Sequence, residues 1–97
     1  MNDRFASFRE ATASALLSGP GATEPELRQA VARGEPPEEL NTLVQKIRSC
    51  AYAGMHDDLD ALRNRYSEDR LFEIIVAAAF GAARERLAAV RRALDSV

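Results

Sequence analysis

The chain has 97 residues, 46% hydrophobic and only 6% aromatic, with no Trp, which suits one domain with one modest core and favours helices over sheets. A formal net charge of −2 excludes the general attraction to phosphate backbones and anionic lipid on which nonspecific nucleic-acid and membrane-surface binders depend. The single Cys excludes an internal disulfide, the start MNDRFASFREATASALL has no basic-then-apolar leader, and no run reaches the roughly 20 apolar residues of a bilayer span, so a soluble cytoplasmic protein is expected.

In chain order, Phe5, Phe8, Thr12, Ala15 and Leu16 recur at three- and four-residue steps and predict an amphipathic helix from Asp3 to Leu17, stopped by Ser18-Gly19-Pro20-Gly21. That turn lacks the glycine spacing and the Lys of a phosphate-binding loop. Thr23 and Glu26 form a capping-box pattern with Pro25 in the first turn, predicting a short helix from Glu24 to Arg33 closed by a left-handed Gly34. Pro36-Pro37 resets the chain. Leu40, Leu43, Val44, Ile47 and Ala51 then make a helical stripe ending near Tyr52 to Gly54. Asp57, Asp58 and Asp60 start a fourth helix, with Leu59, Leu62 and Tyr66 inward and Arg63 and Arg65 at its far end, as the helix dipole prefers. Ser67 is a good N-cap, Glu68 and Asp69 fill the following turn, and no breaker appears before Asp95. The expected architecture is all-α, a single bundle over 1–97 of about five helices with a long C-terminal oligomerisation helix.

The stretch from Ile74 to Ala83 carries no charge on any face, and a helix apolar all round must be covered all round. Four short neighbours cover one side. The small residues let a second helix approach closely, so Ile75, Ala78, Ala79, Ala82 and Ala83 are expected to form an interface between subunits.

Three groups of residues carry candidate chemistry. Cys50, with Lys46 and Arg48 nearby, reads either as a reactive thiol or as a small hydrophobe. His56 is a candidate base for Cys50, or a metal ligand with Asp57 and Asp60, since positions four apart share a helix face; the simpler reading is a solvated helix start. Arg84, Arg86, Arg91 and Arg92 form a basic strip interrupted by Glu85 and Asp95, which reads as a solvated helix end. No cofactor motif is present.

Ala51-Tyr52, Asp58 to Arg63, Tyr66 to Ile74 and Val76 to Ala82 together resemble small bacterial proteins of the carboxymuconolactone decarboxylase and alkyl hydroperoxidase D superfamily, over about half the chain. The resemblance implies an all-helical obligate oligomer packed through the long helix. Its redox members carry a Glu, a Cys-x-x-Cys and a following His, in which one thiolate attacks and the other resolves. Here Ala53 stands three residues after Cys50, and His56 follows the Cys by six, so a dithiol cycle cannot run within one chain. Two function classes follow. The first is a noncatalytic oligomerisation or accessory protein, a homo-oligomer or a hetero-oligomer with a related catalytic subunit. The alternative is a single-Cys thiol peroxidase or reductase using Cys50 and His56.

Overall fold

Helix α5, Glu68–Asp95, is the axis on which the other elements are hung. A computed structural model describes residues 6–96, with α1 at Ala6–Ser18, α2 at Pro25–Ala32, a 3-10 turn at Glu38–Leu40, α3 at Asn41–Arg48 and α4 at Met55–Leu62. Helices α2 and α3 pack on α5, α1 packs on α2, and α4 packs on α3. The all-α architecture of about five helices with a long last one is therefore observed. The beginning of the helix expected from Asp3, with Phe5, lies outside the described residues.

The core is built by Val31 from α2, Leu40, Leu43, Val44 and Ile47 from the 3-10 turn and α3, Leu62 from α4, and Leu71, Ile74, Ala77 and Ala78 from α5. Every buried residue of α5 lies between Leu71 and Ala82. From Ala83 to Ser96 all residues are exposed. Twenty-eight residues give a rod of about 42 Å, and the molecule is correspondingly long, 47 × 29 × 17 Å.

Gly81 sets how closely α2 meets α5. A Cβ built there would stand 2.0 Å from the carbonyl oxygen of Ala32, so only glycine lets the two backbones touch. Ala32 is pinned from its other side, since Arg48 Nη1 donates to the same oxygen at 2.6 Å. Arg48 also pairs with Glu85, and Arg86 donates to the Arg48 carbonyl, so the end of α3 is tied to the middle of α5.

Several local expectations are corrected by tertiary contacts. Thr23 does not cap α2, whose N-cap is Glu24 with no side-chain bond; its hydroxyl and amide instead donate to Glu73 of α5, at 2.6 and 3.0 Å. On α1 the buried residue is Ala13, while Leu17 packs against the core and Phe8 and Ala15 face outward. Helix α3 stops at Arg48, leaving Ala51 exposed. Gly34 does take the left-handed conformation expected of it, with φ 79°, and the Glu35 amide donates to the Ala30 carbonyl at 2.9 Å.

The end of α3 uses the same closure with a residue poorly suited to it. Cys50 has φ 59°, and the Ala51 amide donates to the Lys46 carbonyl at 2.9 Å, a helix stop at which glycine is preferred. A side chain in that conformation costs about 1 kcal/mol. Cys50→Gly is accordingly expected to stabilise the chain by about 0.5 to 1 kcal/mol, read from the urea unfolding midpoint; a loss of stability would contradict it.

Candidate partner-binding surface

Apolar residues on α5 form two faces. One is the core face. The other runs along the opposite side as Val76, Phe80, Ala83, Leu87, Val90 and Leu94, at alternating steps of four and three residues, the spacing by which one helix seams against another. Phe72 and Ala79 extend it. Of the large apolar side chains exposed in the structure, four lie on this helix: Phe72 at 67%, Leu87 at 48%, Val90 at 55% and Leu94 at 68%. A contiguous exposed apolar stripe is unusual on a lone soluble protein and marks an interaction surface.

Beside the seam, α1 and α5 diverge to leave an open groove of about 350 Å³. Ala13, Phe80, Ala83, Leu87 and Ala88 line it, and Phe8, 70% exposed, stands at its edge. Arg84 lies over the Phe80 ring at 5.5 Å, holding that ring at the lip of the groove.

The α1 end of the groove is positioned by a polar clasp. Arg28 is 4% exposed; its guanidinium donates to the carbonyl of Leu16 at 2.8 Å, to that of Gly19, and to that of Thr23 at 3.4 Å. Its Nε faces Glu73 at 3.8 Å without a hydrogen bond. Glu73 in turn accepts from the Ala22 amide at 2.6 Å as well as from Thr23. The Thr23 hydroxyl and then the Ala22 amide hold the Glu73 carboxyl below its ordinary value of 4.5; burial opposes them, and the Thr23 amide and Arg28 add lesser lowering effects. Glu85 is likewise lowered, first by its hydrogen bond from Arg48. Both groups bind a proton more weakly when folded than when unfolded. Their contribution is therefore fully present above pH 4.5 and is lost as pH falls through the lowered folded values. Glu73→Gln should flatten the acid limb of a stability-versus-pH curve below about pH 4.5; an unchanged limb would remove Glu73 from this role.

The expected interface residues separate into three sets. Ala78 and Ala82 are closed off within one chain, which corrects their placement between subunits: the short helices already cover that side of α5. Ile75 is half-buried against the core. Ala79 and Ala83 are exposed and lie on the outer seam. The sequence reading missed Phe72, Leu87, Val90 and Leu94 as surface residues, although the four-three spacing from Val76 to Leu94 carried the signal.

Among the described residues no hydrogen bond or ion pair joins Cys50 to His56. Cys50 is free and exposed, and its interaction with Tyr52 is the first cause raising the Tyr52 phenol above its ordinary value. His56 stands in solvent with Asp60 at 3.3 Å. Among the described residues no three His, Cys, Asp or Glu side chains are grouped so as to hold a metal ion, and no helix is long and apolar enough to cross a membrane. Comparison with protein families, curated proteins and solved structures finds no match for this chain.

Proposed function

We propose that the chain is a noncatalytic helical assembly protein that binds other helices through the outer seam of α5. The observation that carries this is the four-three stripe ending in Leu87, Val90 and Leu94, exposed on a half of α5 in which, among the described residues, none is buried. Cys50 and His56 each interact with another group, Tyr52 and Asp60 respectively, which favours this reading over a single-Cys peroxidase or reductase. Cytoplasmic residence, a homo-oligomer, and an accessory place beside a related catalytic subunit belong to the same proposal, as does membership of the hydroperoxidase D-like superfamily, which rests on the run from Tyr66 to Ala82.

The test is light scattering on the purified chain over a micromolar concentration series. The wild type should show a mass that is a multiple of 10.6 kDa. Leu87→Glu combined with Val90→Glu should weaken assembly by about 3 kcal/mol or more, because two apolar side chains lose their cover, while changing the stability of the single chain by under about 0.5 kcal/mol. A wild-type monomer at high micromolar concentration, or a double variant of unchanged mass, would overturn the reading.

A further inference from the structure

Resting on that reading, we infer that the occupant of the α5 seam is a second copy of α5 running antiparallel, crossing where Ala79 of each copy meets Ala83 of the other. Three observations on the helix itself lead there. The first is shape. Phe72 and Val90 lie about five helical turns apart, so they fall on one line of the helix surface, with Ala79 and Ala83 between them. A two-fold rotation about a point near Gly81 sets Phe72 against Val90 of the second copy. The small side chains then sit at the crossing, where backbones come closest, and the large ones fill the space on either side.

The second observation is charge. The first turn of α5 carries Glu68 and Asp69, and its last turns carry Arg91 and Arg92. A parallel pair would set acid against acid at one end and arginine against arginine at the other. The antiparallel pair sets each acidic end beside a basic end, and it also opposes the two helix dipoles. Asp69 and Arg91 are about six turns apart, hence on the same flank of the seam. The two-fold carries a flank onto the same flank of the neighbour, which brings Asp69 within about one turn of Arg91 of the second copy.

The third observation is the balance of charge along the chain. Residues 84–95 carry Arg84, Arg86, Arg91 and Arg92 against Glu85 and Asp95, a net excess of positive charge, while the whole chain is at −2. The rest of the molecule is therefore acidic. An arm of one sign attached to a body of the other fits the body of its own copy.

Charge exchange tests the arrangement. Asp69→Arg alone and Arg91→Asp alone should each raise the dissociation constant of self-assembly by about tenfold or more, through two symmetric like-charge contacts. The double variant Asp69→Arg, Arg91→Asp should return it to within about threefold of wild type. A parallel pair would instead keep its like-charge contacts in the double variant. Spin labels on Asp95→Cys in a Cys50→Ser background should lie about 40 Å apart in the antiparallel pair and within about 20 Å in a parallel one. An assembly with short label distances, or one in which the double variant is no tighter than the singles, overturns this inference and leaves the assembly function standing. A chain that stays monomeric at high micromolar concentration overturns both. Circular dichroism of each variant confirms that the substitutions, all at exposed positions, have left the helices intact.

Discussion

Gly81→Ala is expected to destabilise the chain by about 3 kcal/mol or more, although alanine is the better helix former by about 1 kcal/mol. The methyl would meet the Ala32 carbonyl oxygen at 2.0 Å and the carbonyl carbon at 2.6 Å. Both atoms belong to backbone, so the contact cannot be relieved by turning a side chain. Retreat of α2 is resisted from two directions. Arg48 holds the same carbonyl, and Val31, fully buried beside it, is wedged into the core. The expected readout is a large fall in the urea midpoint with native helicity retained at low temperature; a variant within about 1 kcal/mol of wild type would show that the two helices are not in backbone contact.

Ala78→Glu should have an effect of similar size and of a different kind from its neighbour Ala79→Glu. Ala78 is fully buried among Val31, Val44 and Ile74, and nothing in that cluster can pair with a carboxylate, so the substitution costs several kcal/mol of folding. Ala79 is one residue on and exposed on the outer seam. Ala79→Glu should leave the single chain folded, at a cost under about 0.5 kcal/mol, and should act on assembly. Thermal melts followed by circular dichroism separate the two: a shift of many degrees for Ala78→Glu and of a degree or two for Ala79→Glu. Equal shifts would mean that the two faces of α5 have been confused.

That pair also shows where the sequence stopped being informative. The limits of α5 were legible, because Ser67 accepts from the Arg70 amide, Glu68 and Asp69 suit the first turn, and no breaker follows. The direction in which its residues point was not. A helix apolar all round has no phase of its own; the phase is set by which neighbour packs on it, and here that is α2 seated against Gly81. The same holds at Thr23, whose local pattern with Glu26 is a cap but whose observed partner, Glu73, is fifty residues away. Cys50 ended α3 early without any glycine to announce it. The outer seam, in contrast, was present in the sequence as the spacing from Val76 to Leu94, hidden because the more central Ala-rich stretch drew the same explanation.

The exposure of residues 83–96 of α5 has a consequence for how order is distributed along the chain. Adding residues to an existing helix gains one backbone hydrogen bond for each residue fixed, so propagation from the anchored half into 83–96 is close to neutral in free energy. Burial contributes almost nothing there, and a segment of about fourteen residues is marginal as a helix in water. Its helical order is consequently set by what lies against it. If the proposed assembly covers this arm, helix content should rise with protein concentration, and circular dichroism over a dilution series reads that directly.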